Sequence, residues 1–97
     1  MVTIALNEST TFSNISATTA AFSLRGGMYA VTVTGTWGGG SVTLQRLAAN
    51  GSTYVTALTA FAADGLQTQI LPPGTYKFAV ATATGVYVDI VSIASAT

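Results

Sequence analysis

The side chains that carry out most acid–base and nucleophilic chemistry in enzymes are scarce in this sequence. It contains no histidine and no cysteine, and its acidic residues are Glu8, Asp64 and Asp89. A general base that titrates near neutral pH, a thiolate nucleophile and the usual zinc ligands are therefore missing. A carboxylate pair can hydrolyse a glycoside, but these residues fall on an N-terminal segment, a turn and a strand. The sequence predicts a non-enzymatic protein with no catalytic residue, no metal and no cofactor.

Asp64 directly precedes Gly65 in a segment that has the composition of a turn. A carboxylate at such a position commonly accepts hydrogen bonds from nearby backbone amides. The alternative is an oxygen ligand for calcium, which needs several further acidic groups close by. We expect the turn role.

Asp89 interrupts an apolar run that extends from Val86 to Val91. If residues 83–85 form a three-residue hairpin loop, Lys77 lies diagonally across from Asp89, within reach of a long side chain. This geometry predicts a Lys77–Asp89 ion pair. The alternative is that Asp89 pairs with Arg25 or Arg46 of another subunit.

Trp37 begins a turn that continues with three glycines. An exposed indole offers a platform for the apolar face of a sugar ring, whereas an indole that folds back covers the end of the core. We expect the cap and keep the platform as the alternative. The candidate contact residues for a protein or glycan partner are Trp37, Tyr54, Tyr87, Arg25 and Arg46.

Short runs of β-branched and aromatic residues are separated by turn clusters rich in glycine, proline and asparagine. In the run Tyr29–Thr34, large apolar residues alternate with small or polar ones, and the run Tyr76–Ala81 repeats this pattern. Alternation with a period of two buries one face of a strand and leaves the other exposed. The predicted strands, the first of which is also a candidate for a loose arm, are Val2–Leu6, Thr10–Ile15, Thr19–Leu24, Met28–Thr36, Ser41–Leu47, Thr53–Leu58, Leu66–Leu71, Thr75–Ala81 and Val86–Ile93.

Residues 1–97 show neither a helical period nor a break in composition, so we predict one all-β domain. Short connections predict two antiparallel meanders, one between Met28 and Leu58 and the other between Leu66 and Ile93. Packed together, they give an antiparallel two-sheet β-sandwich of about eight short strands, with jelly-roll or Ig-like topology. Residues 1–20 either begin this chain's own sheet or form an arm that exchanges with a neighbour or contacts a capsid.

Charge is what the composition most lacks. Hydrophobic residues make up 49% of the chain and charged residues only 6%, against about 25% charged residues in typical soluble domains. A surface of Thr, Ser, Ala and Gly loses little solvation on burial, whereas each desolvated charge needs a partner. The composition therefore favours permanent packing in a homo-oligomer or lattice. The alternative is a stable monomer with a threonine-rich surface.

The charges also limit the classes of partner. The net charge is zero, and Arg25, Arg46 and Lys77 are scattered singly, so no basic stripe is available to neutralise phosphates. We expect no nucleic-acid partner. The sequence lacks a basic start followed by an apolar run, and polar residues interrupt every apolar run. We therefore expect neither a signal peptide nor a membrane span.

Three stretches together resemble small β-sandwich virion proteins of tailed bacteriophages: Gly27–Val33, Ser41–Leu47 and Leu71–Phe78. The resemblance spans about Phe22 to Ile93. Proteins of this class often act as capsid decoration or cement proteins, and some are head fibres or tail components. The resemblance implies a structural protein of the capsid surface, made in the host cytoplasm, whose partners are the major capsid protein and copies of itself. It implies no catalytic residue.

Two alternatives to capsid decoration stay open at this point. The first is a carbohydrate-binding or host-adhesion module, in which Trp37 with Tyr54 or Tyr87 must line an exposed groove. The second is a tail or baseplate component, which requires the same sandwich and the same neutral contacts.

Overall fold

The computed structural model describes residues 9–93, which fold into eight β-strands without a helix. The all-β prediction is confirmed, and no apolar helix of membrane-spanning length occurs in this part of the chain. The strands are β1 (Ser9–Ile15), β2 (Phe22–Leu24), β3 (Gly27–Thr36), β4 (Ser41–Leu47), β5 (Tyr54–Thr56), β6 (Gly65–Leu71), β7 (Gly74–Ala81) and β8 (Thr84–Ser92).

Seven strands begin and end within two residues of their predicted bounds, although β5 is shorter than the predicted Thr53–Leu58. The exception is β2, which begins three residues after the start of the predicted Thr19–Leu24. The predicted strand Val2–Leu6 lies outside the described residues. Of the predicted N-terminal arm, β1 pairs with β8 of this same chain.

The strands form two packed antiparallel sheets of four strands each. Sheet 1 has the order β1-β8-β3-β6, and sheet 2 has the order β2-β7-β4-β5. Strand β1 pairs with β8, β2 with β7, β3 with β6 and β4 with β5. Such pairing results when a long hairpin with four strands in each arm rolls up into two sheets. The topology is therefore a jelly roll, one of the two predicted sandwich topologies.

The two predicted meanders are wrong. Only the β4–β5 step joins neighbours in one sheet, whereas β3 to β4, β6 to β7 and β7 to β8 each cross from one sheet to the other. The tight turn that ends β3, closed by a 2.7 Å hydrogen bond from Gly40 N to Trp37 O, is one of these crossings. A short glycine turn is compatible with a hairpin and with a crossing, so turn length does not identify the partner strand.

The core lies between the sheets and is made almost entirely of apolar side chains from alternate strand positions. Tyr29, Val31 and Val33 face inward from β3, and Tyr76 and Phe78 face inward from β7, as their alternation predicts. The further buried members are Leu24, Val42, Leu44, Leu58, Phe61, Leu71, Ala83, Val86, Val88 and Ile90.

Both buried tyrosine hydroxyls form hydrogen bonds at the same end of the sandwich. Gly26 N donates to the Tyr29 hydroxyl at 3.1 Å, and the Tyr76 hydroxyl donates to Pro72 O at 2.5 Å. A buried phenol is stable when its polar atom has such a partner. These bonds connect the turns that precede β3 and β7 to the core.

Candidate interaction surface

The outer face of sheet 1 carries most of the exposed apolar side chains. We define this face by the side chains of β1, β8, β3 and β6 that point away from sheet 2. Six large hydrophobic residues are exposed among residues 9–93, and five of them lie on this face or at its end. These five, with their exposed fractions, are Met28 42%, Leu66 62%, Ile70 74%, Tyr87 53% and Ile93 39%.

Three of these residues form a row across neighbouring strands. Met28 on β3 is directly opposite Ile70 on β6. On the other side of Met28, Ile93 N donates a hydrogen bond to Met28 O at 2.8 Å. Side chains of directly paired residues lie about 5 Å apart on a sheet. Ile70, Met28 and Ile93 therefore form one continuous apolar row.

On β6 the large aliphatic side chains face outward and the polar side chains face inward, which is the reverse of the usual pattern on the surface of a monomer. Leu66, Thr68 and Ile70 face outward, whereas Gln67 and Gln69 pair with the inward-facing Val31 and Tyr29. Gln67 Nε2 donates to Thr59 O at 2.9 Å. Leucine and isoleucine are thus exposed on a strand whose glutamines are on the side that faces the other sheet.

Contacts at both ends of β6 fix this register. Leu71, at its end, is buried opposite Gly27. Asp64, directly before its start, accepts hydrogen bonds from Gly35 N at 3.1 Å and from Trp37 Nε1 at 2.8 Å. A slip of one residue would turn every side chain of the strand to the opposite face and break both anchors.

Asp64 therefore has a role that differs from the predicted one. Its carboxylate binds groups that lie 29 and 27 residues away in the sequence rather than the amides of its own turn. As for the calcium alternative, residues 9–93 contain no group of three or more His, Cys, Asp or Glu side chains able to hold a metal ion.

Trp37 packs against the hydrophobic core and is half-buried. Its indole N–H is held by Asp64. This is the position that the cap interpretation describes. The indole therefore covers an end of the core while its ring nitrogen joins the start of β6 to the turn after β3.

Asp89 is the one charged residue on the outer face of sheet 1 within the described part of the chain. It pairs with Thr11 on β1 and with Thr32 on β3. These three residues, with Thr34, Tyr87 and Val88, line a shallow depression of about 150 Å³. The lining combines one carboxylate, three threonine hydroxyls and the exposed phenol ring of Tyr87.

The predicted Lys77–Asp89 ion pair is wrong, because β7 and β8 lie in different sheets. Lys77 pairs with Gln45 on sheet 2, and its Nζ lies 4.0 Å from the centre of the Tyr54 ring. A cation at this distance from an aromatic face is attracted to it. Tyr54 belongs to β5 of sheet 2 and Tyr87 to β8 of sheet 1, so these two candidate residues lie on different sheets.

The Arg46 side chain forms a hydrogen bond within its own chain. Its Nη2 donates to Pro73 O at 2.8 Å, and its Nε is buried without a hydrogen-bond partner among the described residues. Burial raises the pKa of the Tyr76 phenol, and the nearby Arg46 guanidinium offsets part of this rise. Arg25 is exposed in the connection between β2 and β3. That Arg25, Arg46, Trp37, Tyr54 or Tyr87 contacts a partner stays a prediction.

Comparison with solved structures finds proteins that align with this chain. The structure of the SPBc2 prophage-derived protein YomS aligns with a TM-score of 0.64, covering 97% of this chain and 100% of that chain at 14% identity. The chain shares the fold of a prophage-derived protein. A protein of Bacillus endospore appendages, which form disulfide-linked pili, aligns with a TM-score of 0.48 over 88% of this chain and 81% of that chain at 15% identity. No protein-family model and no curated protein matches the sequence.

Sequence reasoning did not find the apolar row or the exposed leucine and isoleucine of β6. The contact candidates predicted from the sequence are aromatic and charged residues, and of these only Tyr87 lies on the outer face of sheet 1. The alternation of β6 alone suggests that Leu66 and Ile70 face the core. The opposing signal is Leu71, since only one of the two sets can be buried.

Proposed function

We propose that this chain is a structural protein of a bacteriophage particle, and that it decorates the capsid by burying the outer face of sheet 1. The observation that carries the proposal is the concentration of exposed apolar side chains on this nearly uncharged face. Leu66 and Ile70 would each contribute about 1 to 2 kcal/mol on burial, as expected for large aliphatic side chains. A monomer gains nothing from exposing them.

The fold shared with YomS supports a phage origin, because that protein derives from a prophage. The charge distribution supports permanent contact, since only Asp89 would have to be desolvated when the face is covered. A stable protein interface buries about 1,200 to 2,000 Å² in total. A symmetric shell repeats each contact, so modest contacts together give lasting attachment.

Fractionation of the particle tests this role. Heads, tails and complete virions of the phage that encodes the chain are separated on density gradients and probed with an antibody against the chain. We expect the chain in heads and complete virions. Its absence from every particle fraction would overturn the structural role. Its presence in tails alone would overturn decoration and favour the tail or baseplate alternative.

Rebinding then tests the face. Heads of a phage deleted for the gene are mixed with purified chain and sedimented. We expect Ile70→Lys to abolish co-sedimentation, because it places a charge in the apolar row. Thr56→Lys is the matched control, since Thr56 is exposed on sheet 2. Equal binding of both variants would exclude the outer face of sheet 1 as the docking surface.

A glycan-binding role has one supporting observation, the depression lined by Tyr87, Asp89 and three threonines. An aromatic ring next to a carboxylate and hydroxyls is suited to one sugar ring. The Trp37 version of this role has less support, since that indole packs on the core. A glycan array with wild type and Tyr87→Ala tests it: specific binding that the variant loses would favour the glycan role over decoration.

A further inference from the structure

Strand β6 is the one long and regular sheet edge among the four edges that the described residues form. The edges of sheet 2, β2 and β5, have three residues each. The other edge of sheet 1, β1, has a register shift between Phe12 and Ile15, where Asn14 has a φ of 54°. Short and irregular edges resist pairing with another chain.

By contrast, β6 has seven residues and pairs with β3 without a register shift. It contains no charged residue and no proline, which are the usual means of preventing edge-to-edge association. Among residues 9–93 no strand pairs with its outer edge, so backbone groups are available there, and two of its three outward side chains, Leu66 and Ile70, are apolar. These properties together make it suited to receiving another strand.

The sequence of β6 is nearly a palindrome around its central residue. From Gly65 to Leu71 it reads GLQTQIL, and Thr68 is the midpoint. Antiparallel pairing of two copies about Thr68 places Leu66 opposite Ile70 and Gln67 opposite Gln69. Apolar residues then meet apolar residues on the outer face, and amides meet amides on the inner face. A two-fold interface requires this kind of self-complementarity.

We propose that two copies of this chain pair through β6, antiparallel and about a two-fold axis at Thr68, to join their first sheets into one sheet of eight strands. The inference rests on the proposed role as an assembling structural protein and names the partner as a second copy. Both kinds of antiparallel residue pair have a two-fold axis at their centre, so the backbone accepts this alignment.

The pairing also extends the apolar row. Ile70 continues from Met28 and Ile93, and across the seam it meets Leu66 of the second copy. The two-fold axis repeats this row in the opposite direction. No charged residue of β6 is brought to the seam, so the pairing has no like-charge repulsion. The dimer presents a broader apolar face than either copy alone.

Cross-linking through an introduced cysteine tests the geometry, and the chain has no cysteine of its own. In Thr68→Cys the two sulfur-bearing residues face each other across the axis with their Cα atoms about 5 Å apart, within the range of a disulfide. Thr32→Cys is the matched control, because Thr32 is exposed on the same face but on β3. The two Thr32 residues lie at least about 14 Å apart, three strand spacings.

We expect mild oxidation to convert most of Thr68→Cys to a dimer that a thiol reductant reverses, while Thr32→Cys stays largely monomeric. A mixture of Leu66→Cys and Ile70→Cys should cross-link far more than either variant alone, which reports the register. Thermal unfolding of each reduced variant checks that the fold is intact. Equal cross-linking of Thr68→Cys and Thr32→Cys would overturn the pairing.

Sedimentation without cross-linking gives an independent readout, the dimer dissociation constant of the unmodified chain and of lysine variants. We expect Thr68→Lys to raise the dimer dissociation constant about tenfold or more, since two lysines would face each other at the axis. Thr32→Lys should leave it unchanged. A folded Thr68→Cys that binds heads without forming cross-links would overturn the two-fold pairing and leave capsid decoration standing. Dimers that are absent from every particle fraction would overturn decoration and leave the pairing standing.

Discussion

At the residue scale, one carboxylate joins two parts of the chain that the sequence separates. Asp64 accepts hydrogen bonds from Gly35 N and Trp37 Nε1. We expect Asp64→Ala to lower the free energy of unfolding by about 1 to 2 kcal/mol, because hydrogen bonds to charged groups are among the stronger ones. Trp37 is the only tryptophan, so its fluorescence emission should also shift to longer wavelength.

The control for this prediction is Asp89→Ala. Among the described residues Asp89 forms no hydrogen bond or ion pair, and it lies on the outer face of sheet 1. Its removal should change the free energy of unfolding by less than about 0.5 kcal/mol. Urea unfolding at one pH measures both variants. Equal stability of both variants would contradict the role of Asp64.

Tyr76 makes stability depend on alkaline pH. Burial raises the pKa of its phenol above the ordinary value, and Arg46 offsets part of that rise. The folded state thus retains a proton that the unfolded state loses above about pH 10. This contribution to stability is complete below pH 10 and is lost as the pH rises toward the folded-state pKa.

We therefore expect the free energy of unfolding to fall as the pH rises above about 10, and to fall more steeply in Arg46→Met, which removes the offsetting charge. Tyr76→Phe should be less stable at neutral pH, since it loses the bond to Pro72 O, but it should show a smaller alkaline loss. Urea unfolding across this pH range measures the slopes. Identical slopes in wild type and Tyr76→Phe would assign the alkaline loss to other groups.

At the scale of elements, the crossings between the sheets depend on close backbone approach. Gly40 lies where the turn after β3 meets the end of β7, and a Cβ atom there would collide with Ala81 O and Ala83 N. We expect Gly40→Ala to lower the free energy of unfolding by about 3 kcal/mol, because neither backbone atom can move freely. Gly65→Ala is the control, since its Cβ would meet nothing closer than 3.7 Å.

The sequence predicts the strands better than their partners, for a physical reason. A period of two tells that Tyr29, Val31 and Val33 share a buried face, and glycine or proline marks where a strand ends. Neither signal tells which sheet the next strand joins, because a tight turn such as Trp37–Gly40 serves a hairpin and a crossing equally well. The predicted meanders and the predicted Lys77–Asp89 ion pair are both wrong for this reason.

The candidate surface could not be predicted from the sequence, because the alternation of β6 does not determine which of its faces is buried. In β6, burying Leu66 and Ile70 requires exposing Leu71, and alternation does not decide between the two faces. The choice is made by tertiary anchors, the bonds of Asp64 at one end and the burial of Leu71 at the other. By contrast, the low charge of the composition predicts that some surface is covered, and this prediction does not indicate which surface.

At the scale of the whole molecule, replacing exposed apolar residues should weaken assembly without changing the stability of the fold. Leu66 and Ile70 are more than half exposed, so replacing both with threonine should change the free energy of unfolding by less than about 0.5 kcal/mol per residue. The same change removes apolar area from every copy in an assembly. We expect binding to heads that lack the chain to fall about tenfold or more, because each lost contact of about 1 kcal/mol is repeated over the lattice.

The control for this separation is Val55→Thr, which removes the sixth exposed large hydrophobic residue in the described part of the chain. Val55 is 49% exposed, but it lies on β5 at the edge of sheet 2. It should leave both stability and head binding unchanged, since Val55 lies outside the face that we propose is covered. Co-sedimentation at several protein concentrations gives the affinities. If Val55→Thr weakens binding as much as the Leu66→Thr, Ile70→Thr variant does, the contact is not specific to sheet 1 and follows total exposed apolar area instead.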